Sequence, residues 1–180
     1  GAWDLLGKKN QSLREARERY MRPIVFDRYD LPGDNFDSHT YPKGACILHQ
    51  LRFILGDEPF FRTLSAFLHE HAFQAVDTHD FMKTVKEVTG QNLDWFFEQY
   101  IFSPGHPVFD IESHWDADDG RIRLHVSQVQ DRAHGVPTYR TPVQIGIVTP
   151  SGKSVETVWL ENEQDTFVFE SRERPLLVRF

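Results

Sequence analysis

Apolar residues along this chain follow two rhythms, and the change falls near Pro104-Gly105-His106-Pro107. Before that point they recur at helical spacing; after it they alternate. Residues 3–20 predict a helix rich in Arg and Glu that Pro23 ends. Residues 22–40 are dense in Pro, Gly, Asp and Asn and predict a long loop, which its aromatic residues keep ordered. Ile47, Leu48, Leu51, Ile54 and Leu55 form one apolar stripe, stopped by Gly56. Asp57 is the expected cap of the next helix, with Pro59 in its first turn and Phe60, Phe61, Leu64, Phe67 and Leu68 inward. Thr78 caps a third helix that buries Phe81, Met82, Val85 and Val88 before Gly90. Asn92 caps a fourth, carrying Leu93, Phe96, Phe97, Tyr100 and Ile101.

Beyond Pro107 the pattern is that of strands. Val108–His114 forms the first, and Asp119-Gly120 is a tight turn. Ile122, Leu124 and Val126 then alternate with Arg121, Arg123 and His125; Val143, Ile145 and Ile147 alternate next. Strands near 154–160, 165–170 and 175–180 complete about six, as in a small antiparallel sandwich. The fold class expected is therefore α+β in two segregated parts, residues 1–106 helical and 107–180 a β-sandwich.

Composition narrows the function. No apolar run reaches the length of a membrane span. Residues 1–106 carry 12 Lys and Arg against 15 Asp and Glu, and residues 107–180 carry 8 against 12. Neither part is basic, so nucleic acid is not an expected partner. The single cysteine, Cys46, allows no intrachain disulfide and fits a reducing, cytoplasmic compartment. The opening Gly1-Ala2-Trp3 carries neither an initiator Met nor a signal peptide.

Candidate chemistry is sparse. Among nine His, the only suggestive cluster is His69-Glu70-His71, but helical residues two apart point roughly 200° apart, so it reads as surface or packing. H-E-x-x-H does not occur, nor does a Gly-rich phosphate loop, a G-x-S-x-G elbow or a C-x-x-C. Cys46 lies beside an apolar stripe and reads as core rather than nucleophile. Asp34, Asp37, Asp118 and Asp119 sit in turn-like sequence and read as turn chemistry rather than acid or base. Tyr41 stands apart, placed at a helix start ahead of Pro42, Lys43 and Gly44. The residues alone leave its role open between packing and function.

Tyr41-Pro42-Lys43-Gly44-Ala45 resembles the Tyr-x-Lys-Gly segment of the aminopeptidase N family of zinc metallopeptidases, which includes enzymes like leukotriene A hydrolase. Arg22-Pro23-Ile24-Val25 and Phe36-Asp37 resemble that family's approach to the Tyr. Leu55-Gly56-Asp57-Glu58, Thr78-His79-Asp80-Phe81, Gly90-Gln91-Asn92-Leu93-Asp94-Trp95 and Pro104-Gly105-His106-Pro107 resemble the family's later segments, in the same order. The resemblance is strong over 22–107 and weaker through 180.

It implies the helical C-terminal half of a thermolysin-like catalytic domain, then a β-sandwich. It implies zinc held by an H-E-x-x-H motif and a further Glu, and a Gly-Ala-Met-Glu-Asn segment for the substrate's amino end. All of these would precede residue 1, so no metal ligand or cofactor-binding residue is expected in this chain. Tyr41 alone carries over as catalytic. A tyrosine phenol, with an ordinary pKa near 10, is a hydrogen-bond donor at neutral pH and suits an oxyanion. The expected function is that of a fragment of a zinc aminopeptidase acting on peptides, itself inactive and zinc-free, with the upstream catalytic segment as its partner. The rival is a non-catalytic, peptidase-like scaffold or interaction module. A separate binding role for the β-sandwich finds no surface run of apolar residues to support it.

Overall fold

The computed structural model describes residues 2–180. The chain separates into two compact units, one ending at Gly105 and the other starting at His106.

The helical unit contains α1 (Ala2–Glu18), α2 (Gly44–Leu55), α3 (Asp57–Glu70), α4 (Thr78–Thr89) and α5 (Asp94–Phe97). Glycines set two of the stops: Gly56 has φ 83° and Gly90 has φ 71°, values that favour a residue without Cβ. Gly56 closes α2 by donating to the Arg52 carbonyl at 2.8 Å, and its own carbonyl accepts from Phe60 at 3.2 Å. Gly56 is thus the cap of α3 as well. Asp57, the expected cap, is instead drawn into a two-pronged ion pair with Arg52, at 2.8 Å on each oxygen. α4 likewise takes its cap one residue earlier than its pattern predicts. Asp77 rather than Thr78 caps it, accepting from the amides of His79 at 2.7 Å and Asp80 at 3.2 Å. Asn92 does accept from the Asp94 amide, at 2.8 Å.

Leu51, Phe60, Val85, Phe96, Phe97 and Tyr100 are buried in this unit. Three residues that the apolar stripes place inward lie outside: Leu48, Phe61 and Leu68 are exposed. A stripe marks the face that excludes water, but not whether this part of the chain supplies the cover.

The second unit is two antiparallel three-stranded sheets, ordered β1-β2-β5 and β4-β3-β6. The strands are β1 (Phe109–Asp116), β2 (Arg121–Gln128), β3 (Thr141–Thr149), β4 (Gly152–Leu160), β5 (Gln164–Glu170) and β6 (Leu177–Arg179). Alternation on β2 sends Ile122, Leu124 and Val126 inward to meet Ile145 and Ile147 of β3 and Leu160 of β4. Each such side chain contributes roughly 1.5–3 kcal/mol over its exposed state. The six strands and the α+β class agree with the pattern read from the sequence. No helix among the described residues is long and apolar enough to cross a membrane.

Candidate functional site

The long loop is ordered by charge. Arg22, 4% exposed, grips the Asp37 carboxylate in a bidentate pair, with Nε donating to Oδ2 at 2.9 Å and NH2 to Oδ1 at 2.7 Å. Its other N–H groups donate to the carbonyls of Pro23 (2.7 Å) and Ile24 (3.0 Å) and to Thr40 Oγ1 (2.9 Å). Tyr20 donates to Asp37 Oδ2 at 2.7 Å. The same carboxylate caps the adjoining turn: Oδ1 accepts from the amides of His39 and Thr40, each at 3.0 Å. Burial would push the Asp37 carboxyl up. The hydrogen bonds from Tyr20, Arg22 and the Thr40 amide outweigh it and hold the group well below the usual carboxylate range.

The turn thus capped, His39–Lys43, is wider than an α-helix. Pro42 has no N–H, so the ladder skips it: Tyr41 N reaches back to Asp37 O at 3.4 Å, and Lys43 N reaches five residues back to Ser38 O at 3.0 Å. The Ser38 amide in turn donates to Glu15 Oε2 at 2.7 Å, tying the turn to α1. Tyr41 leaves this turn with its side chain 60% exposed, its ring 5.9 Å from that of Phe36. Phe36, Arg22, Arg28, Tyr29 and Asp37 help line a cleft of about 490 Å³. Tyr41 itself does not line the cleft; Phe36 lines it and is the ring neighbour of Tyr41.

Beneath the turn lie two sealed nitrogens, Lys43 Nζ and His39 Nε2, with no hydrogen-bond partner among the described residues. Burial, aided by the Arg22 charge, pulls the Lys43 ammonium down from 10.5 to about 8. Burial also lowers His39, against the pull of Asp37. The His39 ring stacks on Tyr20, centroids 5.3 Å apart.

Glu15, Asp37 and His39 bring ligand-type atoms within 4.8 Å of one another. They do not fit a zinc ion. Asp37 is already gripped by Arg22, and Glu15 accepts from Arg19 at 3.0 Å as well as from Ser38. A dication would have to displace a guanidinium that is itself buried and bonded through every N–H.

Elsewhere, His69 is exposed and bonds within its own helix, Nδ1 lying 2.7 Å from the Ser65 carbonyl, and His71 packs its ring on Phe67. Cys46 is half-buried, and burial raises its thiol. Asp34 accepts from the Leu31 amide, and Asp119 pairs with Arg121 and Arg123. Asp37 is the residue that turn chemistry undersells. It does cap a turn, but its partner Arg22 stands 15 positions earlier, a separation that no periodicity reveals.

The Peptidase family M1 domain matches residues 5–100 of this chain. The chain belongs to peptidase family M1. This M1 chain is 32% identical over 145 residues to the aminopeptidase N of Streptomyces lividans, across 77% of this chain and 17% of that protein. It is 30% identical over 145 residues to the tricorn protease-interacting factor F2 of Thermoplasma volcanium, across 79% of this chain and 18% of that one. The M1 chain therefore spans less than a fifth of these curated relatives. Its fold matches that of Legionella pneumophila aminopeptidase A, solved in complex with aspartic acid, with a TM-score of 0.72 at 22% identity over 86% of this chain and 18% of that one. The aminopeptidase resemblance carried by Tyr41-Pro42-Lys43-Gly44 thus holds at the level of family and fold.

Proposed function

We propose that this chain is a C-terminal portion of a zinc-dependent aminopeptidase that removes N-terminal residues from peptides, with Tyr41 as its one catalytic side chain. Residues 1–106 form part of the catalytic domain and 107–180 a following β-sandwich domain. The observation that carries the reading is an exposed phenol on a wide turn whose backbone is pinned from below by a buried ion pair. Irregular helical turns of this kind are frequent at functional sites.

The Tyr41 hydroxyl acts on charge that develops during reaction. When water adds to a scissile carbonyl, negative charge grows on the carbonyl oxygen, and a fixed O–H aimed at that oxygen binds the transition state better than the substrate. Residues outside this chain hold the zinc, and the chain alone is inactive and zinc-free. The exposed Leu48, Phe53, Phe61 and Leu68 on α2 and α3 suit cover by the upstream catalytic segment. One half-buried thiol fits a reducing, cytoplasmic setting.

In the intact parent, Tyr41→Phe is expected to lower kcat by roughly 10²–10³ with little change in KM. An unchanged kcat removes Tyr41 from the mechanism. The isolated chain is expected to release no aniline from an amino-acid anilide at any zinc concentration, and release that tracks added zinc would overturn that part of the reading.

A further inference from the structure

We propose that Arg22 and Asp37 are positioning residues for the Tyr41 phenol, an inference that rests on the role just given to Tyr41. The Tyr41 ring is mostly in solvent, and its one ring neighbour among the described residues, Phe36, is itself exposed. Side-chain packing does not fix the hydroxyl, so its place is set by the backbone of residues 39–43. That backbone has most of its ties at Asp37, beside the one that Ser38 makes between Lys43 and Glu15. Asp37 Oδ1 takes the amides of His39 and Thr40, and the Asp37 carbonyl takes the amide of Tyr41 itself.

Arg22 fixes Asp37 in turn, and it does more than neutralise it. All five of its N–H groups are used: two on the carboxylate, two on the carbonyls of Pro23 and Ile24, and one on Thr40 Oγ1. Thr40 passes the restraint on by donating to the Asn35 carbonyl at 2.6 Å. The guanidinium thus locks both ends of the loop, 22–24 and 35–40, to the turn that presents the phenol. A lysine has three donors on a flexible stem and reproduces the charge but not the fork. A displacement of the order of 1 Å at an oxyanion donor is enough to cost about 10²-fold in rate.

The alternative is an ion pair that serves stability alone, and two measurements separate the cases. In the intact parent, Arg22→Lys is expected to lower kcat roughly 10- to 100-fold with KM within about twofold. In a Tyr41→Phe background the same change is expected to lower kcat by less than about twofold, because the clamp acts through the phenol that is already gone. Equal losses in both backgrounds would overturn the proposal.

The second measurement needs no activity. In the 180-residue chain with 3-fluorotyrosine installed at position 41, the wild type is expected to give one sharp ¹⁹F line. Arg22→Lys is expected to shift or broaden it. Thr40→Val, which removes two hydrogen bonds but leaves the ion pair, is expected to do so to a smaller degree. An unmoved line in both variants sinks the clamp, whatever the kinetics of Tyr41→Phe show. A moved line beside an unchanged kcat for Tyr41→Phe keeps the clamp and removes the oxyanion role instead.

Discussion

In residues 106–180 the buried polar side chains are neutral: Gln128, Gln130, Thr141 and Ser171. Gln128 donates to the carbonyls of Tyr139 (2.7 Å) and Asn162 (2.9 Å) and accepts from Tyr139 N (2.8 Å) and Gln130 (3.1 Å), so the amide has no idle group. In residues 2–105 the buried set instead includes Glu15, Arg22, His39 and Lys43, around an Asp37 whose side chain is 6% exposed. A bonded amide is cheap to bury; a charge costs several kcal/mol to desolvate, and a pair recovers that only with good geometry. Stability alone would favour the solution found in the β unit. The helical unit keeps the costlier one at the turn that carries Tyr41, as the positioning role proposed for Arg22 and Asp37 would require.

The largest effect is expected at Asp37. Asp37→Ala leaves Arg22 buried and unpaired and is expected to cost about 3–5 kcal/mol at neutral pH. Amide hydrogen exchange should show the loss in 2–105 and not in 106–180. The folded Asp37 carboxyl titrates below its ordinary range, so its contribution is complete above pH ~4 and is lost as pH falls from there through the lowered folded value. A deficit that grows on acidification would contradict the pairing.

Lys43→Met is expected to act in the opposite direction. The ammonium has no hydrogen-bond partner among the described residues and its pKa is lowered from 10.5 to about 8, which corresponds to a penalty of about 3 kcal/mol below the folded pKa. The variant should therefore melt higher than the parent chain at pH 7. Its advantage should shrink between pH 8 and 10.5, where the unfolded chain still holds the proton that the folded chain has released. A lower melting temperature for Lys43→Met at pH 7 would mean that the ammonium is paired after all.

The smallest effect belongs to the neutral network. Gln128→Ala is expected to cost about 1–3 kcal/mol by stranding the groups of Tyr139 and Asn162. The loss should be confined to 106–180 and flat from about pH 5 to 9, since no titrating group takes part.

The same contrast explains how far the sequence alone is legible. The β unit can be read because inward and outward positions alternate over six strands, and Ile122, Leu124 and Val126 announce their face without help from distant residues. The helices can be read in extent, through Gly56 and Gly90. Their caps sit one residue away from the expected ones, because Asp77 competes better than Thr78 for the first free amides. Leu48, Phe61 and Leu68 have the right spacing for a core and yet lie in solvent, since periodicity does not say what covers a face. The site is half legible. Tyr41 stands out through its neighbours Lys43 and Gly44; Arg22 and Asp37 share in the family resemblance, but nothing along the chain pairs the one with the other. Only the folded loop brings them together, and only burial turns Lys43 from a surface cation into a strained one.

The order of strands in the second unit sets a timetable. β2 pairs with β5 across the whole β3–β4 hairpin, and β3 takes its second neighbour from β6. Trp115 on β1 bonds through its indole N–H to the carbonyl of Ser171, 56 positions later. On a ribosome, β1 and β2 can form only a two-stranded ribbon until residues 164–170 emerge, and such a ribbon is marginal in water. Residues 106–180 should then close late and in one step, with non-local pairing as the slow event.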